Sequence, residues 1–260
     1  MSLSTRVLFL GCSTSVGVPV IGCQCEVCTS DDPRNKRTRS SILLEGDFGT
    51  VLVDSGPDLH QQALRENLSK VDAVIYTHGH VDHVAGFDEL RAFCWRRKGP
   101  LPLFANAQTI QILGQMYPWA FLPEGTASGY VKAEPRLFEG PFEIGELKVT
   151  PVLVQHGFVE THGFVFEHRG QRLGYLSDVK EIPESSLPLL EGLDTLVIDG
   201  LRPQPHPTHL SSGEAVAIAE KVGARSVYLT HLGHEHDYQT LEDELPAHMH
   251  VAYDGLTLPF

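Results

Sequence analysis

The sequence predicts an α/β protein, on three observations. Short β-branched runs alternate with helix-period segments along all 260 residues. The runs are apolar throughout, as strands covered on both faces are. One after another they stop at a residue that can hold a metal or a proton: "TVLVDSG" at Asp54, "DAVIYTHGH" at His78 and His80, "KVTPVLVQHG" at His156, "RLGYLSD" at Asp178, "DTLVIDG" at Asp199 and "RSVYLTH" at His231. Strand ends are where α/β folds gather their active sites.

Taken in chain order, Met1–Leu3 carries no structural weight, and "VLFL" (Val7–Leu10) is a β run too short for a signal-peptide core. No apolar run approaches the roughly 18 residues that span a bilayer. Helices are expected over Leu59–Leu68, Val84–Arg97, Ala107–Tyr117, Glu184–Leu190 and Ser212–Val222. The last has the clearest ends: Ser211 with Glu214 forms a capping box, Ala215, Ile218, Ala219 and Val222 share a face, and Gly223 stops it. "PQPHP" (Pro203–Pro207) reads as a stiff loop rather than a linker, because the strand-then-ligand pattern continues on both sides. A single domain over 1–260 is expected. "DAVIYTHGH" and "SVYLTHLGH" suggest a weak internal repeat.

Composition narrows the function. A net charge of −13 argues against non-specific nucleic-acid binding. Five cysteines, three of them between Cys23 and Cys28, make no secreted disulfide framework and in a reducing compartment would hold metal. The expected location is the cytoplasm. "GCSTSVG" (Gly11–Gly17) lacks the lysine of a phosphate-binding P-loop, so nucleoside triphosphate binding is rejected.

The densest chemistry lies in "YTHGHVDHVAG". His78 and His80 are two apart, so an extended backbone turns both imidazoles to one side. Asp82 and His83 follow as the chain bends. Four donors this close would crowd one ion and leave no place for water, whereas two ions can share them. A second cluster, "GCQCEVC", sets Cys23, Cys25 and Cys28 within one turn; three thiolates need a fourth ligand to close a tetrahedral zinc site. Cys12 and Cys94 read as core packing.

"HGHVDH" resembles the HxHxDH signature of the metallo-β-lactamase superfamily, and the resemblance runs along the whole chain. It implies a four-layer αββα sandwich. It implies that Asp54 supports the site from behind, that His78, His80 and His156 hold one divalent ion, that Asp82, His83 and His231 hold another, and that Asp178 bridges them. Zinc or manganese would suit these ligands, with iron admitted. Asp82 and Asp178 would be catalytic as well as ligating. With His231 so assigned, His234 is the best spare donor for the cysteines, and residues 22–29 become a loop held by structural zinc.

A CxCx2C segment with a histidine three beyond the last active-site ligand is similar to the PhnP-type phosphodiesterases, and also to the pyrroloquinoline quinone protein B. His209 in "PTHLSSGEAV" matches the general-acid histidine of PhnP-type enzymes and of transfer-RNA 3′-processing endonucleases; His206 is its rival. Paired ions make water reactive near neutral pH and clamp a phosphoryl group, and histidine suits proton delivery. The expected activity is hydrolysis of a small, cyclic phosphodiester by a hydroxide held between the ions. The endonuclease reading shares "LSSGEAVAIAEKVGARSVYLTH", but the cysteines, "VIDGLR" and the acidity count against it. The same residues also admit a thioester or lactone hydrolase, or a non-catalytic accessory protein. Arg91, Arg202 and the Arg96–Lys98 run are the basic groups that could meet phosphate. A homodimer stays open, though no stripe marks an interface.

Overall fold

Successive side chains of a strand point to opposite faces, so an all-apolar run needs cover on both. The computed structural model, which describes residues 5–123 and 129–260, supplies it. Met1–Leu3 lies outside the described residues. The strands are β1 (Arg6–Gly11), β2 (Ser41–Gly46), β3 (Gly49–Val53), β4 (Ala73–Ile75), β5 (Leu101–Ala105), β6 (Ala133–Leu137), β7 (Phe142–Ile144), β8 (Leu147–His156), β9 (Val159–His168), β10 (Gln171–Leu176), β11 (Thr195–Asp199), β12 (Ser226–Thr230), β13 (Met249–Val251) and β14 (Thr257–Pro259). Among the described residues they form two seven-stranded sheets, ordered β14-β1-β2-β3-β4-β5-β6 and β13-β12-β11-β10-β9-β8-β7.

Each sheet is half antiparallel and half parallel. In the first, β3 to β6 run parallel; in the second, β10 to β13 do. The two stretches that suggested a repeat lie one in each sheet, on β4 and β12, both in the parallel halves. Val7, Phe9, Ile42, Val53 and Ile75 of one sheet pack against Val149, Phe164, Phe166, Tyr175 and Val197 of the other. The alternate residues Leu8, Leu10, Leu43 and Leu52 face outwards and are covered by Leu59, Val84, Phe87 and Leu113. On the far side, Ala215, Ala219 and Leu241 cover Val152, Val165, Leu196 and Leu229. The fold is therefore an αββα sandwich.

The helices are α1 (Glu26–Thr29), α2 (Leu59–Arg65), α3 (Val81–Val84), α4 (Arg91–Cys94), α5 (Ala107–Met116), α6 (Ser212–Val222) and α7 (Tyr238–Glu244). The ends of α6 match expectation: Ser211 and Glu214 make both capping-box bonds, and Gly223 is left-handed at φ 70°, ψ 33°. Three expectations need correction. The helix predicted over Val84–Arg97 is broken into α3, a 3-10 turn over Phe87–Leu90, and α4. The chain breaks at Gly86, whose N–H donates to the Ser55 carbonyl and whose backbone passes so close to Gly56 that a Cβ would sit 2.0 Å from the Gly56 oxygen. The helix predicted over Leu59–Leu68 ends at Arg65, with Asn67 turned to φ 54° just beyond. Glu184–Leu190 contains only a 3-10 turn over Leu187–Leu190, because Pro188 removes an amide donor there. The sequence reading missed α7, which Asp237 caps by accepting from the Thr240 N–H.

Candidate metal centre

β3, β4, β8, β10, β11 and β12 all end at one end of the sandwich, and each delivers a metal- or proton-capable side chain there. Asp54 follows β3 with φ 64°, and His231 follows β12 with φ 57°. Left-handed backbone at a non-glycine residue persists only where the surroundings force it. Around Asp54 they do. Its fully buried carboxylate accepts from the Thr77 N–H at 2.9 Å, the Thr77 hydroxyl at 2.8 Å and His83 Nδ1 at 2.8 Å. The Ser55 N–H donates to the His83 carbonyl, and a Cβ on Gly56 would lie 2.2 Å from the Asp82 oxygen. The histidine-rich loop is strapped onto the Asp54 turn.

Hydrogen bonds fix which ring nitrogens carry protons. His78 Nδ1 lies 2.9 Å from Thr77 Oγ1, whose own proton goes to Asp54, so the ring donates and Nε2 is a bare lone pair. His156 Nδ1 donates to the Thr208 carbonyl at 2.8 Å, which leaves its Nε2 bare too. Those two Nε2 atoms lie 2.8 and 3.2 Å from Nδ1 of His80. A tetrahedral zinc with bonds of about 2.0–2.1 Å holds its nitrogens about 3.3 Å apart. The three rings fit one ion.

The remaining donors face a neighbouring point. His231 Nδ1 donates to Ser40 Oγ at 3.1 Å, because the Ser40 proton is taken by the Ser13 carbonyl. Its Nε2 faces Asp178 Oδ1 at 3.3 Å. His83 Nε2 lies 3.3 Å from both Asp82 Oδ2 and Asp178 Oδ2. His83 Nε2 and Asp178 Oδ2 are buried without a hydrogen-bond partner. The His231 lone pair aimed at a carboxylate oxygen repels it, and a divalent cation between them turns repulsion into bonding. The donor set fits a metal pair, with Asp178 facing both His83 and His231 across its two oxygens.

The electrostatics agree. Burial pushes His78 well down and His231 down to about 3, keeping both rings neutral, as ligands must be. His83 differs: Asp178, Asp82 and Asp54 overcome burial and raise it well above the usual value, so without a cation its Nε2 takes a proton, which a bound metal would replace. Burial would raise Asp178, but the charged His83 ring facing it holds its carboxyl well down. His78, His80, Asp82, His83, His156, Asp178 and His231 are thus brought together.

His209 lies against this cluster. Its ring stacks on His231 with centroids 4.8 Å apart and meets His156 edge-on at 4.5 Å. Its Nδ1 is 2.7 Å from Oδ2 of Asp199, a residue legible as a strand end but given no role by sequence reasoning. The rival His206 sits 5.2 Å from the His209 ring and accepts from Thr208. The basic groups are turned elsewhere: Arg91 pairs with Asp88, Arg202 donates to the Gln204 and Pro205 carbonyls, and Arg96, Arg97 and Lys98 line a surface hollow with Ser69–Asp72.

The second cluster also closes. The sulfurs of Cys23, Cys25 and Cys28 lie 3.3, 3.5 and 3.5 Å from Nδ1 of His234. Zinc with bonds of about 2.3 Å to sulfur and 2.0–2.1 Å to nitrogen places S and N about 3.5 Å apart. The backbone N–H of Cys28 donates to Cys25 Sγ and is the chief reason that thiol falls to about 6. Sequence reasoning missed what holds the His234 loop. Arg37, 1% exposed, donates to the carbonyls of Gly233, His236 and Arg34 and to Asn35 Oδ1. Arg37 is one of several basic residues in "PRNKRTRS", and nothing in that run singles it out.

The profile of the beta-lactamase superfamily domain matches residues 49–232. An octanoyltransferase of Porphyromonas gingivalis is 34% identical over 96% of this chain, which spans only 51% of that protein, about half its length. A coenzyme PQQ synthesis protein B of Methylorubrum populi is 30% identical over 75% of this chain and 72% of its own. Among solved structures, a diphosphatase from the PhnP family superposes with a TM-score of 0.91 at 38% identity, covering 100% of this chain and 98% of that one.

Proposed function

The chain belongs to the beta-lactamase superfamily as a PhnP-type, metal-dependent hydrolase family member, and from that premise we propose a dinuclear phosphodiesterase acting on a small, cyclic phosphodiester. The observation that carries the proposal is the pairing of a two-ion donor set with a histidine that stands beside it on its own carboxylate. In this reading His78, His80 and His156 would hold one ion, Asp82, His83 and His231 would hold the other, and Asp178 would serve both. Zinc or manganese suits the imidazole and carboxylate donors. Two such cations, when bound, supply a reactive water and neutralise phosphoryl charge.

The chain's own residues do the rest. Asp54 fixes the tautomer of His83 through Nδ1, Thr77 that of His78, and the Thr208 carbonyl that of His156. Asp199 accepts a hydrogen bond from the Nδ1–H of His209, which leaves the Nε2–H to go to the departing oxygen. Asp199 accepts the N–H groups of Val179 and Leu201 as well, so the acid is held by backbone rather than by a loose side chain. Cys23, Cys25, Cys28 and His234 would hold a structural zinc that pins the N-terminal loop to the turn after His231.

A second reading is hydrolysis of a diphosphate, which the description of the 38%-identical relative favours. Both place the attack at phosphorus. The octanoyltransferase name belongs to a protein about twice as long, and acyl transfer is tested rather than assumed. Turnover of bis(p-nitrophenyl) phosphate with added manganese or zinc tests the phosphodiesterase reading directly. A panel of a 2′,3′-cyclic nucleotide, a ribosyl cyclic phosphate, a dinucleoside diphosphate and a thioester then ranks the substrate classes. We expect the cyclic phosphates to lead. Preference for the diphosphate would select the second reading, preference for the thioester would overturn both, and no turnover with metals loaded would favour an accessory protein.

A further inference from the structure

The strands that deliver the metal centre have their other ends at the far side of the sandwich. β3 begins after the turn holding Asp47, β8 after the turn holding Glu146, and β9 finishes at His168. These turns meet: ligand-capable atoms of Asp47, Glu146 and His168 lie within 4.8 Å of one another. Asp47 and Glu146 are exposed acids, which alone would signify a solvated rim. His168 is different. It is 3% exposed, its Nδ1 is 3.1 Å from Thr5 Oγ1, and the ring is set edge-on to Phe48 at 5.0 Å.

The orientation of His168 Nε2 is the second observation. It pairs with Asp47 Oδ1 at 2.9 Å, yet no hydrogen bond joins them, and Nε2 is left as a buried atom without one. A donor and acceptor at that distance line up. Two ligands of a shared ion do not. Arg169 engages the other oxygen of Asp47 and leaves Oδ1 turned to His168. Two carboxylates against one guanidinium keep the local charge negative.

We infer that Asp47, Glu146 and His168 form a further divalent-cation site at the end of the sandwich opposite the active centre. One imidazole and two carboxylates suit an ion of the zinc class, with its outer face left to water. Asp47 belongs to a turn of the first sheet, Glu146 to a turn of the second, and His168 ends β9 of the second. The ion clips the sheets together and stabilises the folded chain by binding it alone.

The test counts metal and is independent of the enzymatic reading. Wild type, Glu146→Gln and Asp47→Asn are dialysed to equilibrium against micromolar zinc, and bound metal is measured by elemental analysis. Glu146 is exposed, so its substitution leaves a folded protein. Each variant should hold one equivalent of zinc fewer than wild type, with turnover unchanged and a smaller zinc-induced rise in Tm. Equal stoichiometry in all three would overturn the site and leave an ordinary His168–Asp47 ion pair. Loss of more than one equivalent would overturn it too, because the variants would then be disturbing the other sites.

Discussion

Nδ1 of His209 lies 2.7 Å from Oδ2 of Asp199, a carboxylate with no exposed surface. Burial pulls the histidine down, but its bond to Asp199 and the nearby carboxylates prevail and raise it above the ordinary value. Asp199 is itself pushed up to about 7 by burial, against the pull of His209. A raised histidine keeps its proton to higher pH and loses it as pH climbs through the raised value. An acid of this kind gives kcat an alkaline limb. Asp199→Asn removes the charge, so the limb should move to lower pH and kcat should fall roughly tenfold. The pH profiles of the two proteins at matched metal content measure this; an unmoved limb would separate Asp199 from the acid.

Alanine at His209 would remove the proposed proton donor without touching the seven donors proposed for the metal pair. Turnover of a poor leaving group, such as an alkoxide, should fall about 10²–10⁴-fold. An activated nitrophenolate needs little protonation and should lose far less. Bound metal should stay at the wild-type level. Metal loss would move His209 into the ligand set, and His206→Ala, run alongside, decides between the two histidines.

These predictions rest on parts of the site that differed in legibility. Five residues of the centre were readable because each sits where a rigid strand stops, and a buried strand writes itself as a run of Val, Leu and Ile. Asp54, His78, His156, Asp178 and His231 all carried that mark. Asp199 carried it as well, but its role depends on a partner ten residues away that only the fold brings near. Thr77, Ser40 and Thr208 fix ring tautomers through one hydroxyl or carbonyl each, and no pattern of residue types announces that. The helix after the histidine loop failed for a related reason. Its local preference is helical throughout, but the contact between Gly86 and the Asp54 turn breaks it.

Cys25 is both a sulfur facing His234 and the acceptor for the Cys28 N–H at the start of α1. Serine there leaves three donors and a harder, shorter side chain. We expect Cys25→Ser to lose the structural zinc and to lower Tm by several degrees, with the active-centre metals retained. Zinc counts and thermal melts check it. A variant that melts like wild type with equal zinc would remove the clamp from the fold's stabilising features.

Arg37 is buried with four acceptors around its guanidinium, two of them carbonyls flanking His234. Methionine fills similar volume but leaves those oxygens without donors, at about 1–3 kcal/mol for each that water cannot reach. Arg37→Met should therefore cost about 3 kcal/mol or more in denaturant unfolding and loosen zinc at the cysteines. Arg37→Lys keeps the charge and loses the fork, so it should recover only part. If methionine unfolds at the same denaturant concentration as wild type, the guanidinium is not what holds the turn from Gly233 to His236.

Asp54 touches no ion in the proposed arrangement, yet it holds His83 Nδ1 and both donors of Thr77 at once. Asparagine preserves the size of the side chain but removes the charge and turns one acceptor into a donor, which must then face either the Thr77 N–H in place of Oδ1 or both the Thr77 hydroxyl and the His83 N–H in place of Oδ2. In either orientation the bond that aims His83 Nε2 at Asp82 and Asp178 is lost or no longer assisted by a charge. Removing such a supporting partner lowers metal affinity about 10–100-fold. Asp54→Asn should show that loss selectively for one of the two ions, because His78, His80 and His156 keep most of their own fixings. Stepwise chelator titration resolves the two affinities. Equal weakening of both ions, or of neither, would mean that Asp54 shapes the turn without tuning His83.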